Sequence, residues 1–224
     1  MVSLYSYTIP IDDGAAPNPF GGMCTLAICK PVIRRTASEG DWIVGLGSVN
    51  APSGNLSGHV VYAMEVSEIL TLERYDRCAP KEWPHRIPGN PKDIPRNFLG
   101  DCIYDFAGGP APRQRLGVHG NGNIETDLGG CNALISRNFY YFGRNAIKLP
   151  DNLRPIIHQT QGHKKQANQQ YLCAFVTWIT SLGFKACHIY GPPDTERKPG
   201  DSCDACEIRK MAGELDEEAS SNCA

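Results

Sequence analysis

Gly40-Asp41-Trp42-Ile43-Val44-Gly45-Leu46-Gly47-Ser48, a turn-rich stretch to Gly58, and then His59-Val60-Val61-Tyr62-Ala63-Met64-Glu65-Val66 decide the fold class. Gly40-Asp41 is a turn that launches a strand. Trp42, Val44 and Leu46 alternate with Ile43, Gly45 and Gly47, giving one bulky face and one nearly bare face. A glycine inside a strand marks a place where another group approaches the backbone. Residues 48–58 are dense in Ser, Asn, Pro and Gly, the residues of turns. Val60 to Val66 is β-branched and apolar, and reads as the second strand.

Working outward, Leu4 to Ile9 reads as an opening strand ended by Pro10. A loop with two prolines and three glycines runs from Asp12 to Gly22. Cys24 to Pro31 is a compact apolar segment, and Pro31 suits the first turn of a helix over Val32–Ala37. Thr71 is placed to cap one or two helical turns up to Arg77. Five prolines between Cys78 and Asn97 argue against regular structure there. Leu99 to Phe106 repeats the Gly-Asp strand start, and Ala107 to Asn123 reads as loop. Asn132 to Phe142 reads as one strand, with Phe139 and Tyr141 on one face and Tyr140 and Phe142 on the other. Tyr171, Ala174, Phe175, Trp178, Ile179 and Leu182 recur at helical spacing, predicting a helix over Gln166–Leu182 that Gly183 stops. Residues 1–190 are expected to form one domain and 191–224 a polar tail.

The chain has 224 residues, 41% hydrophobic and 21% charged, as expected of a globular protein with a sizeable core. A net charge of −2 argues against a broad phosphate-tracking surface and leaves room for a local basic pocket. No apolar run approaches the roughly 20 residues of a membrane span. The N-terminus shows no signal pattern, so a cytoplasmic protein is expected. Ten cysteines then read as buried thiols plus one metal site rather than a secreted disulfide framework.

Two resemblances follow from these residues. The Gly-Asp turn, strand, variable loop and strand ending in Glu-Val-Ser resemble the small β-barrels of the PUA-like group, including ASCH and EVE domains, which take bases into a pocket. That implies an α+β fold, a small PUA-like barrel with flanking helices. A second resemblance is more specific. It is carried by Tyr5-Ser6-Tyr7, Asp13-Gly14, Ala16-Pro17-Asn18-Pro19-Phe20, Cys24-Thr25-Leu26-Ala27, Cys29-Lys30-Pro31, Ile33-Arg34, Gly40-Asp41-Trp42, Gly47-Ser48, Phe139 to Gly143 and Gly162-His163. These look like the signature of the nucleotide-modification-associated domain family, second type. The resemblance implies a role in making, reading or handling modified DNA bases in bacterial or phage systems.

The leading expectation is a module that binds a modified nucleobase or nucleotide, free or in DNA, between aromatic rings. Rings from Phe20, Trp42, Tyr140 and Tyr141 are the candidates to stack on a base. Asn18, Thr25, Ser48, Lys30, Arg34 and Arg144 are the polar candidates, with Lys30 and Arg34 one helical turn apart and able to serve one anion. Each has a plainer reading: rings in the core, Asn18 and Asp13 satisfying their own loop, Arg34 paired with an acid. An enzyme acting on a base is the alternative, with Asp13, Cys24 and His163 as weak acid, base or nucleophile candidates. Cys24 and Cys29 read more readily as buried thiols. A nucleophilic Cys24 needs a base, which His59, His163 or His188 could supply. A protein that sequesters a nucleotide signal is the third reading. In the tail, Cys203-x-x-Cys206 is half a zinc site, to be completed by Cys187 or His188 and Cys223. P-loop and deaminase signatures are missing from the sequence.

Overall fold

A computed structural model describes residues 1–89, 99–158 and 162–195. The strands are β1 (Leu4–Ile9), β2 (Cys24–Leu26), β3 (Trp42–Gly47), β4 (His59–Glu65), β5 (Glu68–Thr71), β6 (Tyr104–Asp105), β7 (Arg113–Gln114), β8 (Asn132–Ser136), β9 (Asn138–Tyr141), β10 (Ile147–Lys148) and β11 (His188–Ile189). The helices are α1 (Pro31–Thr36), α2 (Leu72–Glu82), α3 (Ile124–Leu128) and α4 (Leu172–Ser181). The fold is α+β, as expected. The described strands do not close into one barrel: they form a six-stranded, a three-stranded and a two-stranded sheet.

The larger sheet runs β1-β3-β4-β9-β11, with β10 also on β4. β1 and β3 are parallel, and β3, β4 and β9 are antiparallel. The second sheet runs β2-β8-β5. The two meet at a corner, because β4 leads into β5 and β8 into β9 across two residues or fewer. Ser67 N–H donates to Ile135 O at 2.8 Å and Arg137 N–H to Ser67 Oγ at 2.9 Å at that bend. The single strand expected over 132–142 is therefore two, broken at Arg137.

Alternation along the strands divides the interior in two. Tyr5, Tyr7, Ile43, Tyr62, Met64, Phe139 and Tyr141 fill the inner core together with Cys24, Leu26 and Leu134. Leu4, Trp42, Val44, Leu46, Ala63, Tyr140 and Phe142 face the other way, where Phe175 and Ile179 of α4 cover them. Gly45 plays the role its position in the strand suggests: a Cβ there would overlap the Tyr62 ring and Ile9. Two helical expectations shift. α2 continues through Pro80 to Glu82, despite the prolines after Cys78. The segment from Gln166 begins as a 3-10 turn to Tyr171, and α-helix starts at Leu172. Thr71 caps α2 as anticipated, accepting from Arg74 N–H at 3.2 Å. Among the described residues no helix is long and apolar enough to cross a membrane.

Candidate functional site

The residues after β2 turn sharply into α1. Cys29 and Lys30 both adopt left-handed backbone, with φ of 57° and 43°. Non-glycine residues occupy that region at a cost and only where neighbours hold them. Here the Cys29 N–H donates to Asp127 Oδ1 at 2.8 Å. The Arg34 guanidinium donates through Nε to Cys29 O at 2.6 Å. The turn leaves the Cys29 thiol half-buried at the start of α1.

Two other segments meet this thiol. His119 lies after β7, buried, its carbonyl held by the Gln114 side chain at 2.9 Å. Asp127 is buried on α3, which packs against α1. His119 Nε2 is 3.4 Å from Cys29 Sγ, and His119 Nδ1 is 2.6 Å from Asp127 Oδ2. The imidazole thus stands between thiol and carboxylate, one ring nitrogen to each. Tyr104 donates its hydroxyl to the same Asp127 Oδ2 at 2.9 Å.

The electrostatics follow from this packing. Burial alone would raise Asp127, but His119, Arg34 and the Cys29 amide outweigh it and hold the carboxyl below its usual range. Burial and the neighbouring Asp127 push the Tyr104 phenol well up, so it remains a donor. A carboxylate facing Nδ1 fixes the proton on that nitrogen and turns the Nε2 lone pair toward sulfur. That is the arrangement of a base-activated thiol: nucleophile, base, and a third group orienting the base.

The same three side chains each offer a metal-ligating atom, all within 4.8 Å of one another. The donor geometry fits a relay better than an ion. A metal would take one imidazole nitrogen and draw sulfur and carboxylate to it. Here sulfur and carboxylate address opposite nitrogens, and 2.6 Å is a hydrogen bond.

The residues singled out in the sequence are distributed as follows. Lys30 and Arg34 lie at the Cys29 turn. Lys30 Nζ sits 4.6 Å from the Tyr7 ring centroid. Arg34 is fully buried and binds backbone carbonyls of Cys29, Asn132 and Asp127. Asn18 and Thr25 are buried in a network with Leu99, Arg86 and Asp101. Phe20, half-buried, packs with the Ala15–Ile28–Tyr104 core. Trp42 and Tyr140 are in the outer core, Trp42 edge-on to Phe175 at 6.1 Å. Tyr141 is buried in the inner core and donates to Asp12 at 2.7 Å. Ser48 caps its own turn and Arg144 reaches Asp194 O at 3.1 Å. Asp13 binds the Ala15 N–H at 3.0 Å, and His163 lies against Tyr5, 5.6 Å between centroids. Cys24 is fully buried, and burial pushes its thiol well up. Cys187 is exposed and free. Cys203, Cys206 and Cys223 lie outside the described residues.

Sequence reading gives Cys29 as a buried thiol and assigns no role to His119 or Asp127. The one local signal was a cysteine directly before Lys-Pro at a helix start. His119 lies in a stretch read as loop, 90 residues away.

Residues 1–198 match the family model for nucleotide modification associated domain 2, so the chain belongs to that family. Comparison with curated proteins gives no match, and neither does comparison with solved structures.

Proposed function

We propose that this domain is an enzyme of nucleotide-modification chemistry in which Cys29 is the nucleophile, His119 the base and Asp127 the group that orients it. The observation that carries the reading is the continuous line Cys29 Sγ, His119 Nε2, His119 Nδ1, Asp127 Oδ2, with gaps of 3.4 and 2.6 Å. Family membership supplies the setting. The relay suits acyl transfer. His119 takes the thiol proton as sulfur attacks a carbonyl carbon. It returns that proton to the departing nitrogen or oxygen as the C–N or C–O bond breaks. Water then hydrolyses the thioester. The substrate class is a base or nucleotide, free or in DNA, bearing an acyl, amide or ester group.

The test is turnover of acyl- and amide-bearing nucleosides and nucleotides, read by mass. Wild-type protein is expected to release the acyl group. Cys29→Ser and His119→Ala are expected to lose about 10²–10⁴-fold. Undiminished turnover by folded Cys29→Ser would overturn the assignment.

A second reading is a binding module for a modified base, in a PUA-like setting and in cytoplasmic defence or counter-defence biology. What favours it is a pair of half-exposed cations at the edge of the inner core, Lys30 Nζ 4.6 Å from the Tyr7 ring and Lys165 Nζ 4.8 Å from the Tyr5 ring. Both rings are buried, so the ammonium groups rather than the rings are what an anionic nucleotide would meet. Tight nucleotide binding that survives Cys29→Ser, without any mass change in the ligand, is the outcome that would favour it.

A further inference from the structure

We infer that Arg34 is a positioning residue, whose buried guanidinium bridges the turn carrying the thiol and the helix carrying the acid and so sets the alignment of Cys29, His119 and Asp127. The inference rests on the thiol reading above and concerns a residue that touches none of the reacting atoms.

The geometry is specific. Arg34 Nε donates to Cys29 O at 2.6 Å, one terminal nitrogen to Asn132 O at 2.7 Å, and the other to Asp127 O. Two of these three carbonyls belong to members of the proposed triad, from segments 98 residues apart in sequence. A guanidinium is a planar fork of fixed donors, so it fixes the separation of the carbonyls it joins. An ammonium has one compact charge and cannot span all three.

The surroundings are shaped to admit this group. Gly130 lies flat against it: a Cβ there would overlap the guanidinium. Asn132 closes the ring by returning its side-chain N–H to Arg34 O at 3.2 Å. Partners are backbone carbonyls, so the positive charge is not spent on a contacting carboxylate. It acts on Asp127 through space, helping to hold that carboxyl in its ionised form.

Arg86 supplies the internal control. It too is fully buried and gathers backbone carbonyls, those of Asn18, Phe20 and Met23. It holds no part of the triad. If Arg34 were only a staple, the two arginines would be interchangeable in their effects.

The experiment follows Cys29 carbamidomethylation by iodoacetamide across pH, quantified on the Cys29 peptide by mass spectrometry. The groups facing that thiol are His119, Asp127, Tyr104, Arg34 and Tyr7. Wild type is expected to be alkylated at Cys29 faster near neutral pH than at the exposed Cys173 of the same chain. Arg34→Met is expected to lose about tenfold or more in rate near neutral pH, with a changed pH profile. Arg34→Lys should recover part of the loss. Arg86→Met should lose stability but keep the wild-type rate and pH profile. A wild-type profile in folded Arg34→Met overturns the inference, and so does an equal shift in Arg86→Met. Where Arg34→Met does not fold, Gly130→Ala and Arg34→Lys decide in the same assay. Wild-type alkylation at Cys29 no faster than at Cys173 instead overturns the thiol reading itself, which keeps the two failures distinguishable.

Discussion

Asp127 divides one carboxylate among the Cys29 amide, the His119 ring and the Tyr104 hydroxyl. An amide in its place must present an NH₂ to at least one donor. Asp127→Asn is therefore expected to turn or release the imidazole and slow Cys29 alkylation near neutral pH, with a stability loss of about 3–5 kcal/mol. Alkylation kinetics and urea unfolding check the two halves. A second acid behaves oppositely. Burial, partly offset by the Tyr141 hydroxyl, pushes Asp12 up to about 7. Unfolded, it titrates near ~4. Between those values the folded chain holds a proton that the unfolded chain has released. Stability should therefore fall as pH rises through that window and level off above it, by a few kcal/mol in order of magnitude. Asp12→Asn should flatten that dependence in urea midpoints measured across pH. Neither role was visible in the sequence. Asp12 sits in a loop and its partner Tyr141 is 129 residues away.

Strands were the most legible elements, because a period of two survives in a single sequence. Trp42–Gly47 and its bare face are an example. Gly45→Ala would drive a methyl into the Tyr62 ring and Ile9. A loss of about 1–3 kcal/mol in chemical denaturation is expected. The bend at Arg137 was not legible. No glycine or proline marks it, and Ser136 and Asn138 bond across it through side chain and backbone. That bend separates two sheets where a closed barrel was expected. α2 ran past Pro80 because Tyr75 and Ala79 pack into a third core, which outweighs the local penalty. The site was least legible. His119 and Asp127 lie in a loop and a five-residue helix that carry no periodic signal.

Across the whole molecule the large sheet has a core on each face, and the proposed chemistry lies on the inner side only. Phe175 anchors the outer side against Trp42. Phe175→Ala is expected to cost about 3–5 kcal/mol in unfolding while the folded fraction retains the wild-type Cys29 reactivity. The distance along the chain between the thiol and its partners has a further consequence. During synthesis Cys29 leaves the ribosome 90 residues ahead of His119. A nascent or truncated chain ending short of Asp127 carries an ordinary cysteine beside an unanchored arginine. Under the proposed thiol assignment, reactivity at that sulfur reports on completed folding, switched on only when the last of the three segments docks.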